Sequence, residues 1–464
     1  MKYLYRTVEG LTINSLKKKD LLTLGFMMFS IYFGAGNLIF PPALGQAAGD
    51  HTLHAMLGFM TTGIGLPLLG ITAIALAGGE YVPLLHAKTW PRFATVLLVI
   101  LYLIIGPLFA MPRTGAVSFE IGIRPFLSAD NLALGQIIYT AIFFASSYYL
   151  ALNPNKIIDR VGRMLTPALL IVLLILFVQA FHAPLGAILP ATGAYIDAPF
   201  AQGFQDGYQT MDLLASIAIG ALVANAVRMR GITDSRAVGA ACLVSGLITV
   251  MLMAAVYGSL AYIGATSTSI LGQAENGGQI LSAAVGIFFG SAGNLLLAVI
   301  IGLACLTTCC GITSSAAMFF NKLLKGRVSY ERLLLFSILF SFAASNVGLT
   351  QIIALAIPFL VTIYPLIIVF VILSLFDPFI GWRKSIYQGA MTLTLVFSLI
   401  DGLHAAGLSS EPVHALLVAY IPFYNIMMGW VCPAVIGALV GLAVSFFQTA
   451  PAAAKRRAMG ATRV

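Results

Sequence analysis

Residues 25–42 read GFMMFSIYFGAGNLIFPP, an apolar run with Gly34, Gly36 and Asn37 in its middle and Pro41 and Pro42 a turn later. A glycine in a helix interior costs about 1 kcal/mol and a proline about 3 kcal/mol relative to alanine. In hydrocarbon the N–H and C=O groups freed by such a break find no water, so the break survives only where it lines a protein cavity or holds a ligand. Two half-helices meeting at mid-membrane present N–H groups suited to a carboxylate and carbonyls suited to a cation. The stretch therefore predicts a zwitterion site in a broken transmembrane helix. Glycine pairs also serve plain helix packing, and a second stretch separates the two readings. Residues 203–212 read GFQDGYQTMD, glycine-punctuated and too polar for lipid, before an apolar helix resumes at Leu213.

The rest of the chain supplies the membrane. Its 464 residues are 60% hydrophobic and 9% charged, with a mean hydropathy of +0.98, against roughly 45–50% apolar and about 25% charged residues in soluble proteins. The composition excludes a soluble globular protein. Apolar runs bounded by charge or turn residues predict twelve spans, at 20–48, 52–77, 91–122, 133–152, 155–181, 201–227, 236–264, 291–321, 329–347, 350–376, 383–404 and 415–447. With an even span count and the N-terminus inside, 23 of the 25 Lys and Arg fall at inner ends; only Arg113 and Arg124, both near span 3, do not. The positive-inside rule thus predicts cytoplasmic termini, and the net charge of +9 faces anionic inner-leaflet lipid with no need for nucleic acid. The apolar stretch behind Arg6 and Lys17 is too long for a signal peptide and has no small-residue cleavage site before the next span, so it reads as a retained helix. Cys242, Cys305, Cys309, Cys310 and Cys432 lie in apolar runs without metal-ligand spacing and read as free thiols.

Five spans at 20–181 and five at 201–376, each set opening with a broken helix, run in opposite senses because five is odd. That is the inverted-repeat pattern of secondary transporters. The expected division is a cytoplasmic segment 1–19, repeat 1 at 20–181, a periplasmic loop 182–200, repeat 2 at 201–376, two further spans at 377–449 and a cytoplasmic tail 450–464. An outer segment at 265–290 is long enough for a short helix at the mouth.

The motifs GAGNLIFPP (34–42), GPLFAMPRT (106–114) and GYQTMD (207–212), with ACLTTCCGITSS (304–315) and IPFLVTIYP (357–365), resemble the branched-chain amino acid:cation symporter family (BrnQ, also LIVCS). The resemblance runs from span 1 to beyond span 10. It implies an all-α polytopic membrane protein with the LeuT-like 5+5 fold of the APC superfamily, helices 1 and 6 broken, and two extra C-terminal helices. It also implies a bacterial cytoplasmic (inner) membrane and alternating-access import of leucine, isoleucine and valine coupled to sodium, with no cofactor and no obligate protein partner.

On this reading the substrate carboxylate meets the N–H groups of Gly34, Ala35 and Gly36, because free helix amides donate to an anion without placing a full charge in the membrane. Asn37 is expected as an N-cap of the resumed helix or as a direct ligand. Carbonyls from Phe204 to Tyr208 hold the ammonium, and Phe109, Met111, Phe204 and Tyr208 are candidates for the side-chain pocket or for plain packing. For the cation, Thr307, Thr308, Thr313 and Ser314 offer hydroxyls to complement carbonyls of the span 1 break such as that of Phe33; Ser and Thr in helices also bond back to their own i−4 carbonyls. By resemblance to LeuT-like proteins two of the four are ligands, and Thr313-Ser314 matches that local context more closely than Thr307-Thr308.

Charges inside spans are functional suspects. Arg113 and Glu120 lie two turns apart on one face of span 3 and read as a structural or gating pair, or as a substrate contact. Asp212 reads as a cap of the resumed span 6 helix, Asp206 as an outer gate or proton sensor, and Asp401 as snorkelling to the outer surface. Rival classes are weaker. No H-E-x-x-H, G-x-G-D or G-x-S-G motif marks an intramembrane enzyme, and a channel does not need two inverted breaks. A proton-coupled carrier of small neutral amino acids and a non-transporting receptor of the same fold remain. The site lysine in span 5 of some proton-coupled relatives is absent here, since Lys156 and Arg160 lie at the cytoplasmic edge, which favours sodium.

Overall fold

The computed structural model describes residues 18–461 apart from 78–80, 153, 233, 382 and 410, and the regular structure of these residues is helical throughout. Arg6, Lys17 and Arg463, and most of the N-terminal segment predicted to be cytoplasmic, lie outside the described residues.

Helix α1 (Lys18–Tyr32) stops short of Phe33 and Gly34, and α2 (Ala35–Ala48) resumes after them. Gly34 is extended, at φ −125° and ψ −168°. Helix α3 (Thr52–Met60) runs through a π-helical turn at Thr61–Gly65 into α4 (Leu66–Leu76). After α5 (Tyr81–Lys88), helix α6 (Pro91–Leu103) distorts at Ile104–Leu108, where Gly106 leaves helical geometry beside Pro107, and continues as α7 (Ala110–Gly122). Helices α8 (Leu132–Ala151) and α9 (Pro154–His182) complete the first half. The second opens with α10 (Pro199–Asp206), a tight turn at Gly207–Thr210, Met211 in left-handed geometry at φ 61°, and α11 (Asp212–Arg228). Then follow α12 (Ser235–Leu271), α13 (Gly277–Leu323), α14 (Tyr330–Ser345), α15 (Leu349–Ile380), α16 (Lys384–Ala405), α17 (Glu411–Tyr420) and α18 (Val431–Ala461).

Among the described residues seven helical runs are long and apolar enough to cross a membrane, or eight if the pair Pro199–Ala218 and Leu222–Arg228, bent by 47°, is counted as one span. This number is below the twelve predicted spans; α1 has only 15 residues before the break, and the uninterrupted α14 has only 16. Large apolar side chains such as Ile171, Leu174, Val178 and Phe336 point outward, as lipid demands and water would not. The segment expected as an outer loop at 265–290 is mostly helical. Helix α12 continues to Leu271, Asn276 caps α13 by accepting from Gly278 N at 3.0 Å, and the chain turns at Gly290, whose φ is 65°.

Backbones meet backbones at the interrupted helices. A Cβ on Gly264 of α12 would lie 2.0 Å from Pro42 O, and one on Gly45 would lie 1.9 Å from Ala261 O. At the second interruption, a Cβ on Gly58 of α3 would lie 2.0 Å from Phe200 O, and one on Gly203 would lie 1.9 Å from Ala55 O. Helix α2 is thus pressed on α12 as α10 is pressed on α3, each contact made by reciprocal glycines. Two apolar cores flank the interruptions, one holding Phe33, Leu38, Met111 and Tyr257, the other Phe109, Phe204, Tyr208 and Tyr364.

Gly264→Ala should destabilise the protein by about 1–3 kcal/mol through overpacking, read as a lower thermal midpoint in detergent. Gly258→Ala, on the same helix but with open space at its Cβ position, should leave the midpoint unchanged or raise it by the equivalent of up to about 1 kcal/mol.

Candidate functional site

The two interruptions are joined by side chains. Asn37 sits in the first turn of α2, where its Oδ1 accepts from Gly34 N at 3.2 Å. Its Nδ2 donates to Asp212 Oδ2 at 2.7 Å and to the Tyr257 hydroxyl of α12. Asn37 is therefore the third residue of the resumed helix, reaching back to satisfy the backbone of the cap residue, and not the N-cap expected. One of the three N–H groups predicted to meet a carboxylate, that of Gly34, is occupied in this conformation.

Asp212 is the first residue of α11, yet its carboxylate turns away from that helix's own amides. It accepts from Asn37 and, at 3.4 Å, from Tyr257. The expected capping role is replaced by a cross-link between the two interruptions. The left-handed Met211 before it redirects the chain enough to make this reach possible.

Arg113 departs furthest from expectation. It does not pair with Glu120, because two helical turns place them about 10 Å apart along the axis. Instead it is buried, and Nη1 donates to Gln209 O in the span 6 interruption at 2.5 Å. The guanidinium lies over the Phe40 ring, with Cζ 5.1 Å from the centroid. A Cβ on Gly36 would fall 2.8 Å from Nη2, so the absence of a side chain at Gly36 lets a cation stand at the N-terminal end of α2. Nε has no hydrogen-bond partner, and neither has the buried Gln209 Oε1. The distortion at Gly106 and Pro107 precedes Arg113 by two turns and breaks the regular path of span 3 just before it. Glu120 binds elsewhere: it accepts from Arg124 at 2.9 Å, Asn276 at 3.2 Å and Gln279 at 2.8 Å, tying the end of span 3 to the start of α13.

The aromatic candidates divide between the cores. Tyr208 stacks on Tyr364 with centroids 4.3 Å apart and meets Phe204 edge-on at 5.7 Å; Phe109 lies 5.2 Å from Phe359. Met111 is packed on α13, where its sulfur accepts from the Thr313 hydroxyl at 3.5 Å. The carbonyl of Phe204 is satisfied by the Thr62 hydroxyl at 2.7 Å, from the π-helical turn of span 2. Asp206 accepts from Tyr195 and, at 3.1 Å, from Gln202, and so anchors the loop 182–200 to α10.

The hydroxyls of span 8 are not equivalent. Thr307 and Thr308 both donate to Ala304 O, at 2.9 and 3.0 Å, leaving their lone pairs free. Thr308 faces the span 1 interruption: a Cβ on Gly34 would lie 3.7 Å from its Oγ1. Phe33, the residue before Gly34, stacks on Phe29 with centroids 5.1 Å apart. Thr313 bonds back to Cys309 O at 2.6 Å and faces span 3, and Ser314 is buried near Tyr330. The five cysteines are free thiols.

Tyr257, Gln209 and Tyr364 were not singled out from sequence; a tyrosine at the middle of an apolar span, whose hydroxyl needs a partner, is the signal that would have found Tyr257. Lys88 was counted as a loop cation at an inner end. It is buried, its Nζ 2.7 Å from Asp377 Oδ2 and 5.0 Å from the Tyr387 ring centroid, where it fastens α5 to α15 and α16. Asp401, expected to snorkel, is also buried.

A sequence profile described as "Branched-chain amino acid transport protein" matches residues 17–448. The chain is 46% identical to the branched-chain amino acid permease BraB of Bacillus subtilis, over 94% of this chain and 97% of that one. It is 44% identical to the branched-chain amino acid transport system 2 carrier protein of Pseudomonas aeruginosa, over 90% and 94%. It is 38% identical to the permease BrnQ of Escherichia coli, over 94% and 98%. Among solved structures it is similar in fold to Mhp1, a nucleobase-cation-symport-1 family transporter in a closed conformation with bromovinylhydantoin bound, at a TM-score of 0.55 and 14% identity over 92% of each chain.

Asp377→Asn deprives buried Lys88 of its carboxylate and should cost about 3–5 kcal/mol, read as a lower thermal midpoint. Replacing both partners by apolar residues of similar volume, Lys88→Met with Asp377→Leu, should recover most of the loss.

Proposed function

The chain belongs to the branched-chain amino acid transport protein family, and on that premise we propose that it is a sodium-coupled symporter importing leucine, isoleucine and valine, with both substrate and ion held at the helix interruptions. It is a multi-pass membrane transport protein of a bacterial permease family and not an enzyme. The finer architecture is part of the proposal: twelve spans, repeats at 20–181 and 201–376 related by inversion, and cytoplasmic termini in the inner membrane. The reciprocal glycine contacts of α2 on α12 and α10 on α3 support the inversion, since each repeat then presses its broken helix on the second helix of the other.

The observation that carries the substrate reading is the placement of one buried cation and one buried anion at the interruptions, Arg113 and Asp212. An amino acid is a zwitterion of matching polarity. Its carboxylate takes the forked donors of Arg113 together with the amides of Ala35 and Gly36 at the start of α2, a charge-assisted arrangement stronger than neutral hydrogen bonds. Its ammonium takes Asp212, whose carboxylate has acceptor capacity beyond the bonds from Asn37 and Tyr257. Phe204, Tyr208 and Phe109 then face an aliphatic side chain. Each methylene changes binding in such a pocket by only about 1–3 kcal/mol, so acceptance of all three branched-chain substrates is expected.

For the ion, the geometry favours Thr307 and Thr308 over Thr313 and Ser314. Thr308 of the first pair lies beside Gly34, with its hydroxyl lone pairs free and the Phe33 carbonyl at the same interruption. The second pair lies six residues, about 9 Å, further along the helix at 1.5 Å per residue. An ion at Thr308 and a substrate at Gly36 share one interruption, so each favours the same closed arrangement, which is the differential affinity that alternating access requires. On this reading spans 1, 2, 6 and 7 rock against spans 3, 4, 8 and 9.

In proteoliposomes an inward Na⁺ gradient should drive concentrative leucine uptake, and an inward H⁺ gradient of equal size should not. Thr308→Ala should weaken the Na⁺ dependence and Ser314→Ala leave it near that of the parent. Uptake driven only by H⁺ would remove the sodium assignment, and leucine binding without uptake under either gradient would make the protein a receptor. Arg113→Lys, which keeps the charge and loses the fork, should weaken leucine binding about tenfold or more, as expected for lost hydrogen bonds to a charged group.

A further inference from the structure

The C-terminal helices hold a carboxylate that neither the substrate site nor the ion site uses. Asp401 of α16 is 1% exposed, and neither carboxylate oxygen has a hydrogen-bond partner within normal reach. The phenol of Tyr424 faces it, and Tyr208, on the span 6 interruption, lies within electrostatic reach. Tyr208 in turn adjoins the Trp430 indole; its hydroxyl and the indole N–H are both buried without a partner at hydrogen-bond distance. Among the described residues Tyr424 and Tyr208 are the titratable groups that face Asp401, and no Lys, Arg or His forms an ion pair with it. The charges that α5 and α15 bring to α16, Lys88 and Asp377, pair with each other near Tyr387, fourteen residues or about 21 Å along the helix from Asp401.

Tyr424 and Trp430 belong to the turn at 421–430, where Phe423 and Met427 adopt left-handed geometry at φ 65° and 55°. Non-glycine residues pay about 1–3 kcal/mol each for that geometry and keep it only where the surroundings impose it. What holds this turn is the span 6 half-helix: Gln205 Nε2 donates to Ile426 O at 2.7 Å, and Trp430 packs in the same apolar core as Phe204, Tyr208 and Tyr364. The strained turn therefore links the Asp401 pocket to the substrate interruption.

An ionised carboxylate buried with no cationic partner costs several kcal/mol and is not left uncompensated in a stable fold. We propose that Asp401 is a second monovalent-cation site, separate from the span 8 hydroxyls, in which Na⁺ or H⁺ neutralises the carboxylate while the 421–430 turn is seated on α10. With the turn lifted, water reaches Asp401 and the cation is no longer required, so the bound cation favours the seated turn. Linkage then makes cation concentration a lever on the position of span 6. The site stands whether or not the span 8 hydroxyls bind sodium.

The test is equilibrium binding to purified full-length protein, free of any transport readout. Two quantities are measured on the parent and Asp401→Asn: the stoichiometry of ²²Na⁺ binding, and the protonated-carboxyl band in infrared difference spectra across a pH titration. The proposal expects Asp401→Asn to lose one bound Na⁺ if the occupant is sodium, or one carboxyl band if it is a proton, with leucine affinity at saturating Na⁺ within about threefold of the parent, a change of under 1 kcal/mol. If both quantities are the same in the two proteins, the proposal is wrong. Should Asp401→Asn not fold, Tyr424→Phe keeps the carboxylate and removes the facing phenol. Na⁺ occupancy is expected to weaken about tenfold on loss of the facing phenol oxygen, and H⁺ occupancy to strengthen, since a donor facing a carboxylate favours its ionised form; unchanged occupancy overturns the proposal in the same way. Failure of the span 8 assignment would show as sodium binding unaffected by Thr308→Ala, a distinct result.

Discussion

Backbone groups freed inside a membrane must be satisfied by the protein itself, and here polar side chains from neighbouring helices do this, with Asn37 at the centre. Asn37 accepts from Gly34 N and donates to Asp212 and Tyr257, so a single amide joins span 1, span 6 and span 7. Both of its polar ends are used, which matters in a medium where an unmade bond carries its full desolvation cost. Around this junction the other contacts follow. Thr62 satisfies Phe204 O, Arg113 satisfies Gln209 O, and glycines at 45, 58, 203 and 264 bring the half-helices close enough for these short polar side chains to reach.

The junction also explains why charge is tolerated so deep. Arg113 is bonded to a carbonyl and lies over the Phe40 ring, while Asp212 accepts from two neutral donors. Arg113 is not fully saturated, since its Nε is orphaned, as is Oε1 of the Gln209 to whose carbonyl it bonds. A structure that served stability alone would gain by replacing such groups with apolar ones. Their retention at the interruptions fits a site that exchanges these partial bonds for those of a zwitterion.

Much of this could be read from sequence because the deciding terms are local. Helix propensity and hydropathy act on neighbouring residues, so Gly34 to Asn37 and Gly207 to Asp212 announced their interruptions, and the family motifs identified the same stretches. What sequence did not reveal is which distant partner each polar group finds. Arg113 and Glu120 do share a helix face, yet face arithmetic says nothing of reach, and each is claimed by a different element: Gln209 for Arg113, Arg124 and Asn276 for Glu120. Lys88 looked like a solvated inner-end charge because its burial depends on α15, almost three hundred residues later in the chain. Likewise, local context favoured Thr313 and Ser314, whereas only the three-dimensional path of α13 brings Thr308 to Gly34. Asp401 was misread for the same reason, since the turn that covers it comes from the last helices.

The central claim is that substrate lies between the two interruptions, with its carboxylate on Arg113 and its ammonium on Asp212. The most direct measurement is a structure of the full-length protein with leucine and Na⁺ bound. The account predicts leucine density bounded by Gly36, Arg113 and Asp212. Leucine found instead in the small cavity between spans 1, 2 and 7, lined by Met28, Tyr32, Ile64 and Met253, would contradict it.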